Sequence, residues 1–255
     1  MVWKKAWLTA LLALGACGGP SDPTGETDPA LDPQSAVAEE QAGVEPELVA
    51  TDPAGAPTTG RFEMGAHYLR LSPTQPTSSN PDQIEVCEVF WYGCAHCNAL
   101  DPLVERWREQ KPDYVSFVRV HAVWNPTLQL HARAFYTAEA LGKGAEMHTE
   151  FFREIHERRN GLDTEAKLQE FFGRFGVDAA AFKSAFDSFA VQARLQRADE
   201  LSRRYRISSV PTIIVNGKYT TEPAMVLEAN RQMATQDVMP ATLQVLDALV
   251  ARSRQ

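Results

Sequence analysis

The chain has 255 residues and a formal net charge of −8, with 44% hydrophobic and 23% charged residues, enough apolar content for one domain with a proper core. Its basic residues gather into no stripe, which excludes a nucleic-acid-binding surface. The acidity belongs to one segment: Asp22, Glu26, Asp28, Asp32, Glu39, Glu40, Glu45, Glu47 and Asp52 all precede residue 61, with no Lys or Arg between residues 18 and 60, so the charge says nothing about a substrate.

In chain order, Lys4 and Lys5 come ahead of an apolar run, Ala6 to Leu14, too short to cross a bilayer as a permanent helix. The run closes on Leu14-Gly15-Ala16-Cys17, which resembles the lipobox of bacterial lipoproteins. That resemblance implies a signal peptide over 1–16, lipid on Cys17 and a membrane anchor. The other reading is an ordinary cleaved signal with a chance cysteine. Gly18, in place of the Asp that marks inner-membrane retention, favours the outer membrane, and the expected location is the periplasmic face. Residues 18–60 are dominated by Pro, Gly, Ala, Thr, Asp and Glu and hold no aromatic residue. Together with Cys17 they form a 17–61 segment expected to be a disordered tether. A flexible coil of that length spans roughly 35–40 Å end to end.

The folded domain is expected over 62–252. Strand-like stretches occupy 84–90 (IEVCEVF) and 115–120 (VSFVRV). Five segments with apolar residues at three- and four-residue spacing follow, at 128–141, 145–157, 164–175, 179–186 and 191–205, with Asp163 and Asp178 as N-caps. They make a helical insertion over about 127–205. "TIIVNGKYTT" then predicts a hairpin with a two-residue Asn216-Gly217 turn, and "ATLQVLDALVARSR" an amphipathic helix. The fold class is α/β, a βαβ and a ββα unit separated by a helical subdomain.

Cys94 and Cys97 lie in "FWYGCAHCNALDP", between an aromatic run and a helical pattern. A zinc site needs two further ligands at suitable spacing, and no second Cys pair exists. His67, His121, His131, His148 and His156 form no tight cluster in the sequence and read as ordinary core or surface residues, so no metal is expected. A staple across so short a loop removes little chain entropy. A redox pair fits best: at a helix start, unpaired N–H groups and the dipole stabilise a thiolate on the first cysteine, and the second resolves a mixed disulfide. His96 is expected to add a donor or positive charge there, the alternative being an exposed helix-start His with no influence on the pair. Cys87 reads as a buried small hydrophobe, with a regulatory or intermolecular disulfide as the alternative.

Strand, aromatic run, C-x-x-C, helix and the later "VPT" before "IIVNGKY" resemble the thioredoxin superfamily. The helical insertion and the His within the motif resemble more specifically the DsbA family of thiol oxidases. The resemblance spans most of 62–252. It implies Cys94 as the attacking cysteine, Cys97 as its buried partner, and Val210-Pro211 as a cis-proline loop offering backbone hydrogen bonds to a peptide. It also implies Glu88 as a buried acid near the disulfide and Asp101 and Arg119 as an acid and its basic partner. The residue-level alternatives are an edge-strand surface acid for Glu88 and a solvated pair for Asp101 and Arg119. Ala95 departs from the family, which has Pro there, and Pro102 sits where thioredoxin has a helix-kinking proline. Trp91, Tyr92 and Trp124 form either an apolar apron or plain core.

The expected activity is disulfide donation to exported proteins by a monomer that uses no cofactor beyond the Cys94–Cys97 disulfide, with a membrane redox partner restoring the pair. The alternatives are a reductase or isomerase, and a thiol-based copper-binding protein.

Overall fold

The structure is a computed structural model that describes residues 61–254 and the backbone of a short strand at Glu47–Val49. The signal segment, Cys17 and the remainder of the tether lie outside the described residues.

Strand β3 (Ile84–Phe90) is the centre of the molecule, and all seven of its residues are buried. It pairs in parallel with β4 (Val115–His121) and antiparallel with β5 (Thr212–Val215). The six-stranded sheet runs β1-β2-β6-β5-β3-β4, with β1 at Glu47–Val49, β2 at Leu69–Ser72 and β6 at Tyr219–Thr221. β1 is a correction to the expected tether, since three of its residues add to the edge of β2, where unpaired backbone groups accept another strand. β2 was not foreseen, four residues being too few to show alternation against their surroundings.

Helices cover both faces of the sheet. On one, α1 (Ala95–Gln110) and α8 (Thr235–Ser253) bury Leu100, Val104, Val245, Leu246 and Leu249 against Val86 and Val215. The other carries the insertion: α2 (Pro126–Ala140), α3 (Gly144–His156), α4 (Glu165–Gly173), α5 (Ala179–Phe186) and α6 (Phe189–Arg204). Its core is a run of phenylalanines, Phe135, Phe151, Phe152, Phe171, Phe172, Phe182 and Phe186, continuous with Phe90 and Tyr92. α7 (Pro223–Ala229) links β6 to α8. Among the described residues, no helix is long and apolar enough to cross a membrane.

Two local expectations are corrected. Asp178 caps α5, but α4 is capped by Thr164, whose hydroxyl accepts from the Lys167 N–H at 3.3 Å; Asp163, one residue earlier, takes the Lys167 Nζ at 2.6 Å instead. The β5–β6 connection has three residues rather than two: Val215 pairs with Tyr219, and Asn216 and Gly217 both have positive φ. The turn is tight because Gly217 lies under the 73–79 strap, where a Cβ would fall 2.0 Å from the Gln75 carbonyl oxygen.

Candidate active site

The two cysteines sit where β3 ends and α1 begins. Cys94 is the N-cap of α1, in extended conformation, and its Sγ accepts the Cys97 N–H at 3.3 Å. That bond satisfies one of the free amides of the first turn and directs it at sulfur. Gly93 is required just before it, since a Cβ there would fall 2.3 Å from the Trp91 ring. Both cysteines are free thiols, Cys94 half-buried and Cys97 fully buried.

Their ionisation diverges. The Cys94 thiol is lowered to about 6, chiefly by the hydrogen bond from the Cys97 thiol, with burial opposing and the amides of Cys97 and His96 and the His96 charge assisting. Cys97 is pushed far up, first by burial, then by its bond and charge interaction with Cys94, and also by the charge of Glu88. At neutral pH the negative charge resides on Cys94, the sulfur accessible to a partner. Ala95 and His96 are exposed at the first turn of α1, Ala95 occupying the first helical position.

Val210-Pro211 is a cis peptide, and Cys94 Sγ lies 3.4 Å from the Val210 carbonyl, to which it donates in its protonated form only. The loop is held by Thr212 Oγ1 donating to the Ser209 carbonyl at 2.9 Å and by the Ser209 hydroxyl bonding Glu222. The structure thus brings Cys94, Cys97, His96, Val210 and Pro211 to one place.

Glu88 is not on an edge strand. It lies on central β3, where the parallel register sets it opposite Arg119 of β4. Arg119 Nε donates to Glu88 at 2.8 Å, its Nη2 to Asp101 Oδ1 at 3.0 Å, and its Nη1 to Glu105. Asp101 and Arg119 are therefore a buried pair within a larger cluster, not a solvated one, with side chains 6% and 8% exposed. Asp101 is one helical turn beyond Cys97, on the same face of α1.

Three of the histidines have specific partners beside the cysteine loop. His148 Nε2 bonds Asp101 at 2.9 Å and its Nδ1 meets the Tyr92 hydroxyl at 3.0 Å. His131 Nδ1 accepts the Trp91 indole N–H at 3.0 Å, so its Nε2 carries the proton given to the Gly161 carbonyl. His156 Nε2 bonds the Tyr92 carbonyl at 2.8 Å. Three histidines of the insertion thus hold the two residues ahead of Gly93-Cys94. Nothing local signals this, because the partners are 40 to 64 positions apart. Trp91 and Tyr92 belong to this packing, whereas Trp124 is 40% exposed and lines a groove of about 490 Å3 with Leu130 and Leu195. Cys87 is a buried free thiol whose ionisation burial opposes.

The ligand atoms of Asp101, Glu105 and His148 lie within 4.8 Å of one another. The Arg119 guanidinium bonds both carboxylates, so the positive charge this cluster calls for is supplied by the chain itself.

The family model of the DSBA-like thioredoxin domain matches residues 104–239, and the thiol:disulfide interchange protein DsbA of Azotobacter vinelandii is 35% identical over 193 residues, 76% of this chain and 85% of that protein. The chain belongs to the DsbA-like thioredoxin family. Its relative in Pseudomonas aeruginosa, also named thiol:disulfide interchange protein DsbA, is 37% identical over 158 residues, 62% of this chain and 74% of that protein. The crystal structure of Pseudomonas aeruginosa DsbA superposes with a TM-score of 0.66 at 34% identity, covering 74% of this chain and 93% of that one. The thioredoxin fold with a helical insertion is therefore shared with the DsbA-like family. The family-model match begins beyond Cys97, so the redox pair rests on its own geometry.

Proposed function

We propose that this protein is a thiol:disulfide oxidoreductase that donates disulfides to other proteins through Cys94 and Cys97. The observation that carries the reading is the divergent ionisation of the pair, with Cys94 lowered to about 6 and Cys97 held protonated. A stabilised thiolate stabilises the reduced protein, and so makes its disulfide a stronger oxidant.

In the oxidised enzyme a substrate thiolate attacks Cys94 Sγ. The Cys94–Cys97 bond breaks, and Cys97 departs with the electron pair and takes a proton, as its buried site demands. A second substrate thiolate then attacks the substrate sulfur of the mixed disulfide, and Cys94 leaves as a thiolate. The substrate has lost two electrons and the enzyme has gained them. The redox group is the disulfide of the two cysteines, and the cycle calls for no other prosthetic group. The Val210 carbonyl and the cis-proline loop beside Cys94 supply an edge for an incoming extended peptide.

Glu88 tunes the couple. Its charge disfavours ionisation of Cys97, so Glu88→Gln is expected to stabilise thiolate in the pair and make the protein more oxidising. A variant whose potential and exchange rate both match the parent removes Glu88 from the mechanism.

The substrates in this reading are exported proteins, the enzyme acts as a monomer, and a membrane redox partner reoxidises the pair. A lipid on Cys17 anchors it at the periplasmic face of a bacterial membrane, with the outer membrane favoured by Gly18. The lipobox-like Leu14-Gly15-Ala16-Cys17 supports this, and a Cys17→Ala variant that still fractionates with membranes argues against it. The activity is tested by incubating the oxidised full-length protein with a reduced, unfolded protein containing paired cysteines. Stoichiometric disulfide transfer is expected from the parent, and none from Cys94→Ala or Cys97→Ala, since neither variant can form the Cys94–Cys97 disulfide that is donated. No transfer by the parent overturns the reading.

A further inference from the structure

His148 stands apart from the redox motif in sequence and on a different layer of the fold. It projects from α3 in the helical insertion, yet both ring nitrogens are spent on groups that bracket the cysteines. Nε2 faces Asp101, one turn beyond Cys97, at 2.9 Å, and Nδ1 faces the hydroxyl of Tyr92, two residues ahead of Cys94, at 3.0 Å. A carboxylate only accepts, so Nε2 carries a proton toward Asp101. Nδ1 then accepts from the Tyr92 hydroxyl when the ring is neutral and donates to it when the ring is charged. Tyr92 stays a phenol throughout, because burial pushes its ionisation well up. Both protonation states of the imidazole are therefore satisfied in one geometry.

The charges around the ring explain why a donor is needed. Glu88 comes from β3, Asp101 and Glu105 from α1, Arg119 from β4, and Glu139 from α2, itself paired with Arg194 of α6, lines the same cavity as the ring. Among the described residues, Arg119 is the one guanidinium shared by Glu88, Asp101 and Glu105, with Arg108 reaching Glu105 at 2.9 Å from the surface. A buried carboxylate that must share its cation gains from a second donor. His148 is that donor for Asp101, and it borders a cavity of about 350 Å3 that Arg119, Glu105 and Glu139 also line.

We propose that His148 is a positioning residue for disulfide donation, fixing the Asp101 carboxylate on Arg119 and tying that cluster to the Tyr92 end of the cysteine loop. The inference rests on the reading of Cys94 and Cys97 as a disulfide-donating pair. It gives the helical insertion a part in setting the couple: without the His148 donor the Asp101 charge is less compensated beside Cys97, thiolate in the pair is less stable, and the protein is a weaker oxidant.

The test compares parent, His148→Leu, His148→Gln and Tyr92→Phe full-length proteins in graded glutathione buffers. Three readouts are taken: the thiol–disulfide equilibrium, the pH midpoint of Cys94 alkylation, and the Tm of each redox form. His148→Leu is expected to shift the equilibrium toward the protein disulfide by roughly threefold to tenfold, a fraction of one buried charge-assisted bond. The alkylation midpoint rises and the reduced form loses more Tm than the oxidised. His148→Gln recovers most of the shift, since its amide N–H still reaches for Asp101. In Asp101→Asn, adding His148→Leu produces no further shift, because His148 acts through Asp101. Equal Tm losses in both forms with unchanged equilibrium and midpoint overturn the proposal and leave His148 a packing residue. If His148→Leu does not fold, Tyr92→Phe decides: a smaller shift of the same sign supports the proposal, and none overturns it. A parent that proves reducing while the variants still shift would defeat the donor reading and leave the role of His148 standing.

Discussion

Cys94 and Cys97 are the same chemical group three positions apart, and the fold makes one acidic and the other inert. The amide of Cys97 and the thiol it carries both serve the Cys94 sulfur, while Cys97 itself is fully buried. Alkylation of the reduced protein against pH is expected to show one reactive cysteine with a midpoint near 6, with Cys97 and Cys87 unlabelled at neutral pH. A midpoint near 9 contradicts the site geometry. His96→Ala leaves the Cys97 bonds and the amide of residue 96 in place, so the midpoint is expected to rise only part of the way. The same ionisation gives reduced-form stability a sign. Cys94 is lowered in the fold from 9.0 to about 6, so its contribution is complete above pH 9 and lost as pH falls through 6. Relative to Cys94→Ser, the reduced parent is expected to lose its advantage over that window. Cys94, Cys97 and His96 stand out by their local spacing at a helix start, whereas the Val210-Pro211 loop was implied by the family resemblance alone, Pro211 by itself being equally able to start a strand. The burial of Glu88 was left open, because it depends on which strands flank β3.

Register is what the elements add. Glu88 and Arg119 are 31 positions apart and meet because β3 and β4 pair in parallel with those two residues opposite. The strands could be read from their apolar runs, but their alignment is set by packing that no single segment displays. The insertion shows the same division. Its five helices follow from apolar spacing, whereas the grip of His131, His148 and His156 on Trp91 and Tyr92 has no local signature. The Asn216-Gly217 turn was legible by composition, but not the strap that crosses it. Gly217 has φ of 59° and a Cβ there would fall 2.0 Å from the Gln75 carbonyl oxygen. Gly217→Ala is expected to destabilise the protein by about 2 kcal/mol, through a strained φ and a backbone that must move. Denaturant unfolding measures it, and a loss under about 0.5 kcal/mol, the level of an ordinary surface substitution, contradicts the packing described.

At the scale of the whole molecule, two neutral imidazoles lie between the sheet and the insertion. Burial pushes His121 down to about 3 and also lowers His131, whose Nδ1 is occupied by the Trp91 N–H. An unfolded chain takes up these protons near pH 6.5, so folding stability is complete above that value and declines as pH falls toward 3. His121→Phe is expected to flatten that decline relative to the parent, as followed by urea unfolding at a series of pH values. Parallel curves would show that His121 does not set it. In electron terms, the bonds from the Cys97 thiol and amide and the helix start at Cys94 stabilise the Cys94 thiolate and so make the disulfide the less stable form. The most direct test is the redox equilibrium of the full-length protein against graded glutathione buffers, read by alkylation and mass. A potential well above that of the glutathione pool is expected, with Cys94 and Cys97 predominantly reduced in balanced buffer. A potential near that of thioredoxin, with the disulfide persisting, would contradict it and make the protein a reductase.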